Sequence, residues 1–180
     1  LAYLYLFLTV TFWAGNFVVG KLASFYEVPP FSLNFYRWFF AWLILAPFTI
    51  PEILEKRKYI LNNYKLFIIL GVTSITIFNS IVYYSLNFTQ VISGVLMIST
   101  IPVMIMFFSS ILKIEKTNIF QIVGVIFSFA GVIVIITKAN LEILKNLDFN
   151  KGDLTMVIAM FSWALYSTLL KGKKYDLSQL

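Results

Sequence analysis

The chain has no cysteine and no histidine. The first absence removes any disulfide framework and any thiolate chemistry. The second removes the commonest metal ligand and the commonest general base. Charge is scarce as well: Asp, Glu, Lys and Arg make up 12% of the 180 residues, about half the share in a soluble domain. Apolar residues make up 60%, the mean hydropathy is +0.87, and a chain this short cannot hide that much apolar surface from water. Its solvent is therefore lipid, and soluble enzymes and nucleic-acid binders fall away. No Asp or Glu lies inside a long apolar run, so the spans offer no buried carboxylate for a proton relay or a cation site. Intramembrane proteolysis needs paired Asp, Ser with His, or a metal site, and the sequence supplies none of them. No enzymatic activity, cofactor or metal is expected.

What is present is organised by the gaps between charges. Residues 1–20, 66–112, 117–137 and 154–170 carry no charge, and residues 28–51 carry one, Arg37. A spanning helix needs about 20 mostly apolar residues. The 47-residue run must therefore hold two helices, with a turn at Asn87-Phe88-Thr89-Gln90. The expected architecture is an all-α polytopic membrane protein with six transmembrane helices, at about 2–22, 32–50, 66–87, 91–112, 118–137 and 153–171. The runs lack polar–apolar alternation, which excludes barrel strands. Ser32 and Thr89 are candidate N-caps and Pro51 a candidate helix end.

Lys and Arg set the orientation. The N-terminal side collects nine: Lys56, Arg57, Lys58, Lys65, Lys113, Lys116, Lys171, Lys173 and Lys174. The other side collects four: Lys21, Lys138, Lys145 and Lys151. This places the N-terminus in the cytoplasm. The 138–152 loop is then external, and Leu141, Leu144 and Leu147 recur in it at helical spacing, as an interfacial helix or an ordinary loop would allow.

Shifted by 150 residues, the first helix falls on the sixth. Leu4, Trp13, Ala14 and Lys21 coincide with Leu154, Trp163, Ala164 and Lys171. After a one-residue slip, Tyr26-Glu27-Val28 matches Tyr175-Asp176-Leu177. A five-helix unit is odd-numbered, so a second copy enters from the opposite side, as in many secondary transporters. The expected division is a first repeat over 1–137, an external loop over 138–152, and the truncated start of a second repeat over 153–180. The chain starts at Leu1 and breaks off where the next helix is due, so four further spans are expected beyond Leu180.

Six stretches resemble the EamA type of the drug/metabolite transporter superfamily, in order along nearly the whole chain. They are Phe12-Trp13-Ala14-Gly15-Asn16-Phe17 with Lys21; Pro30 to Ala41, including Arg37 and its aromatics; Tyr84 to Gln90, then Pro102 and Glu115; Gly124 and Gly131-Val132; Gly152-Asp153-Leu154; and Ser162-Trp163-Ala164. The resemblance implies a ten-helix fold of two inverted repeats. It also implies a secondary transporter that exports amino acids or other small metabolites across the cytoplasmic membrane by alternating access. A channel or a non-transporting helical scaffold is the alternative. The expected partners are the lipid bilayer, a small-molecule substrate and the second half of the same chain, with a homodimer also open; no nucleic acid is expected.

The candidate substrate cavity rests on polar stripes. Thr9, Trp13, Asn16 and Gly20 share one face of the first helix, and Thr76, Asn79, Tyr83 and Asn87 share one face of the third. Either set lines water or serves as interhelical glue. Trp163 and Tyr166 would face Trp13. Arg37, the one charge inside a span, must face a cavity or a partner. It could meet a substrate carboxylate, fork onto backbone carbonyls, or snorkel to the outer interface. Lys21 is explained by snorkelling. Pro102 is a candidate hinge or gate, or a mere bend, within the fourth helix. Gly124, Ser128 and Gly131 form a small-residue seam for close packing of the fifth. Glu115 is expected to be a solvated loop charge.

Overall fold

The computed structural model describes residues 2–114, 118–136 and 151–172. Glu115 and the 138–150 part of the expected external loop lie outside them. Among the described residues there is no strand. The first two helices are α1 (Ala2–Phe25) and α2 (Pro30–Glu55). Two short helices follow, α3 (Arg57–Asn62) and α4 (Tyr64–Gly71), the second continuing through a π-helical stretch, Val72–Asn79, into α5 (Ser80–Ser85). Beyond the turn come α6 (Val91–Ile98), α7 (Ile101–Ile111), α8 (Ile119–Ile136) and α9 (Lys151–Gly172). Among the described residues four helices are long and apolar enough to cross a membrane: Ala2–Phe25, Pro30–Glu55, Tyr64–Ser85 and Lys151–Lys171. The molecule is an all-helical polytopic membrane protein.

Several ends differ from the sequence expectation. The second helix starts at Pro30 with no side-chain cap from Ser32, because proline at the first turn fixes φ and lacks only a donor that would go unused. It also runs through Pro47 and Pro51 to Glu55. Each proline withdraws one bond, but where lipid offers no substitute partner, keeping the remaining helix bonds costs less than stopping. Thr89 does not cap α6; its hydroxyl donates to Asp153 Oδ1 at 2.7 Å. α1 closes with Glu27 in the left-handed region (φ 53) and the Val28 amide on the Ala23 carbonyl, 3.0 Å, ahead of Pro29-Pro30.

Burial is concentrated on the third span and on α9. Met156, Ala159, Met160, Ala164 and Thr168 are fully buried and recur along one face. Met156, Ala159 and Met160 meet Phe17, Phe78, Val82 and Leu86 in the core. Ser162 Oγ donates to the Thr73 carbonyl (2.7 Å), and Ser85 and Thr155 share a hydroxyl pair at 2.8 Å. In α1 and α2 only 6% of the most apolar window is buried. Side chains such as Phe7, Phe40 and Ile44 face outward, which lipid tolerates and water would not.

One end of the bundle is sealed. The Lys21 ammonium donates to the Leu86 and Thr89 carbonyls at 2.7 and 3.0 Å, a cation on the C-terminus of α5. It is therefore a helix cap rather than a snorkelling surface charge. Gly152 meets the same turn so closely that a Cβ there would lie 2.7 Å from the Ser85 carbonyl oxygen and 2.9 Å from the Thr89 amide nitrogen. Only glycine permits that approach.

Candidate functional site

The third span positions the site. Thr73 Oγ1 bonds the Ile69 carbonyl at 2.7 Å and Ser74 Oγ the Leu70 carbonyl at 2.6 Å. Hydroxyls that compete for i−4 carbonyls loosen the α ladder, and a π-helical stretch follows from Val72 to Asn79. The Asn79 side-chain amide donates to the Ser74 carbonyl five residues back, at 2.8 Å. This directs its oxygen at Arg37.

Arg37 reaches in from α2. Its Nη1 donates to Asn16 Oδ1 on α1 and to the Tyr83 hydroxyl on α5 (2.6 Å), and its Nη2 to Asn79 Oδ1 (2.7 Å). The Tyr83 hydroxyl in turn donates to Asn16 Oδ1 at 2.6 Å. The guanidinium carbon lies 5.2 Å from the Trp38 ring centroid and 5.6 Å from that of Tyr83, within cation–π range. Among the described residues Arg37 has no carboxylate partner. Of the three sequence options, neither the backbone fork nor the snorkel occurs: neutral oxygens from three elements hold the cation half-buried.

Beside it opens a cavity of about 920 Å³, at the upper end of the range for small-molecule sites. Thr9, Trp13 and Asn16 line it from α1, Arg37 and Trp38 from α2, and Ser74 and Asn79 from the third span. Trp163 and Tyr166 of α9 form the facing wall. The ring centroids of Trp13 and Trp163 are 5.9 Å apart, and Trp163 lies 5.1 Å from Tyr166 and 4.6 Å from Phe78. Lys21 and Gly152 meet one turn, so the last turns of α1 and the first of α9 share the sealed end. Going from Asn16 back to Thr9, or from Trp163 on to Tyr166, the lining leads away from that seal. The cavity therefore extends toward the end that carries the chain's N-terminus.

Six of the eight cavity candidates converge here; Tyr83 and Thr76 do not, and Pro102, Gly124, Ser128 and Gly131 are also placed otherwise than expected. Tyr83 is 2% exposed and stands behind Arg37 instead of lining the cavity. Thr76 is turned away, exposed, into a separate recess of about 350 Å³ with Asn34 and Phe35. The wider π turn breaks the 3.6-residue projection that had grouped it with Asn79. Pro102 is not mid-helix. The fourth span breaks after Ile98, and Pro102 sits in the first turn of α7, where its missing amide costs nothing. Gly124, Ser128 and Gly131 are exposed, and a Cβ on either glycine would meet no heavy atom within 4 Å among the described residues. Gly124 and Ser128 instead border a cleft of about 410 Å³ against α7 and Lys171, so they are not a tight seam here.

Sequence reasoning missed Trp38, Ser74 and Asn34. Asn34 is buried, and its amide nitrogen donates to the Ile75 carbonyl (3.0 Å) and Ser80 Oγ (2.9 Å), fixing α2 against the π stretch. The signal was available, since Asn34 lies three residues before Arg37 on one helix face. Ser74 was hidden by the change of helix type.

An aromatic cavity with one half-buried cation, among helices long and apolar enough to cross a membrane, is consistent with a membrane transporter. The comparisons agree. Residues 1–137 match the EamA-like transporter family, and the chain belongs to that family. A relative in Archaeoglobus fulgidus, named an uncharacterized transporter, is 30% identical over 180 residues, covering 97% of this chain and 59% of its own length. Another, the uncharacterized transporter YyaM of Bacillus subtilis, is 29% identical over 114 residues, 63% of this chain and 37% of its own. The chain thus spans well under two thirds of either relative. No solved structure matches it significantly.

Proposed function

We propose that the chain forms part of a secondary transporter that exports amino acids or other small metabolites across the cytoplasmic membrane, its N-terminus in the cytoplasm. The observation that carries the reading is the cavity of about 920 Å³ around Arg37 and the tryptophans. A cavity that extends away from an end where Lys21 and Gly152 pack on the turn after α5 fits one state of an alternating-access cycle. A filter loop or charged rings would favour a channel, and the described residues form neither.

A second, inverted five-helix repeat would supply the remaining cavity wall. The greater length of the Archaeoglobus fulgidus relative and the Trp13/Trp163 correspondence support this. The test is a screen of amino acids and related metabolites with the full-length protein in vesicles. Accumulation of at least one compound, impaired more than folding by Asn16→Ala and Asn79→Ala, is the expected result. Unaltered transport in both variants would remove the cavity from the pathway.

A further inference from the structure

Arg37 brings a positive charge into the cavity that no described residue neutralises. A guanidinium has five N–H donors and no acceptor. Three are used, by Asn16, Tyr83 and Asn79, which leaves Nε–H and one Nη2–H without a partner among the described residues. The polar oxygens nearest the cation are already committed to it. Asn16 Oδ1 accepts from both Arg37 and Tyr83, and Asn79 Oδ1 accepts from Arg37. The site therefore has charged donors to spare and few free acceptors. Asp153, the acidic residue of α9, lies at the sealed end, where it accepts from Thr89. Apart from the hydroxyls of Thr9 and Ser74 and the side chain of Ile75, the rest of the wall is indole, phenol and phenyl rings, among them Trp13, Trp38, Trp163 and Tyr166.

Resting on the transporter reading of this cavity, we infer that its substrates are organic anions: a carboxylate seated on the two free Arg37 donors, with a flat apolar body against the aromatic wall. The carboxylate supplies the counter-charge that a cation in a low-dielectric site lacks. A zwitterion gains the same contact but must bury an ammonium where no carboxylate among the described residues receives it. An amine is repelled outright. Charge thus ranks ligands of one shape as anion over zwitterion over cation.

Three probes with the same phenyl body separate these cases: 3-phenylpropionate, phenylalanine and phenethylamine, each given to the full-length protein in detergent and in vesicles. Binding is read by quenching of tryptophan fluorescence, since three of the four tryptophans line the cavity. Transport is read by counterflow. The expected result is 3-phenylpropionate binding at least about ten-fold tighter than phenylalanine, with phenethylamine weaker still. Asn16→Asp is the decisive variant. It is nearly isosteric, it keeps an acceptor for Arg37 and Tyr83, and no hydrogen bond of the Asn16 amide nitrogen is lost. It places a carboxylate on the cation, so anion binding falls by about ten-fold or more while phenylalanine loses little. Arg37→Gln should flatten the ranking in the same direction. Phenylalanine or phenethylamine bound tightest, or an anion preference unchanged in Asn16→Asp, would overturn the inference and leave the transporter reading standing. Anion binding with no counterflow of any probe would support the anion site and count against transport. No binding of any probe would count against both.

Discussion

A methyl group at Gly20 should disturb Arg37 from two helices away. A Cβ there would lie 2.7 and 2.9 Å from the Tyr83 Cδ1 and Cε1 atoms and 2.9 Å from Leu86 Cδ1. Ordinary carbon contacts lie at about 3.5–4.0 Å, so the ring must retreat by about 1 Å. Tyr83 is 2% exposed, and its hydroxyl is tied to Asn16 and Arg37, so it has no free direction. Overpacking of this kind costs about 1–3 kcal/mol, while replacing a helical glycine by alanine contributes about 1 kcal/mol in the other direction. Gly15, where a Cβ meets nothing within 4 Å, isolates the second effect. Unfolding of the full-length protein in mixed micelles, titrated with a denaturing detergent, should rank Gly15→Ala above Gly20→Ala by about 1–3 kcal/mol. Gly20→Ala alone should also lower the transport rate. Equal stability of the two variants, with transport intact in both, would refute the coupling of α1 packing to Arg37 through Tyr83.

Other consequences are direct. Lys21→Met removes two charge-assisted bonds to the end of α5 and should destabilise the protein by about 1–3 kcal/mol in the same titration, with Lys21→Arg milder. Trp13→Ala deletes the ring facing Trp163, and competition assays should show a broadened substrate range rather than a uniform loss. For orientation, a membrane-impermeant thiol reagent applied to intact cells should label Tyr26→Cys and spare Lys58→Cys. The reverse pattern would invert the proposed topology.

The spans were legible because lipid imposes a simple rule, and the charge gaps follow it. Trp13, Asn16, Asn79, Trp163 and Tyr166 could be grouped because polar and aromatic residues recur at helical spacing. Tyr83 and Thr76 could not be assigned correctly. Val72–Asn79, where the Thr73 and Ser74 hydroxyls bond helix carbonyls, is a π stretch, which no hydrophobic period reveals. Nor could Lys21 be read as a cap, since its partners lie 65 and 68 residues away, at Leu86 and Thr89. The seam on α8 failed for another reason: small residues permit close packing without requiring it, and the described neighbours do not approach.

Water access along the proposed substrate path tests the central claim most directly. These 180 residues contain no cysteine, so single thiols can be read cleanly against a full-length protein whose remaining cysteines, if any, are replaced. A small hydrophilic thiol reagent should label Ser74→Cys and Trp163→Cys, which line the cavity, and labelling should block transport. Phe40→Cys, on the outward face of α2, should remain unlabelled because it faces lipid. Labelling of Phe40→Cys with Ser74→Cys and Trp163→Cys untouched, or labelling of the cavity positions with transport undiminished, would contradict the account.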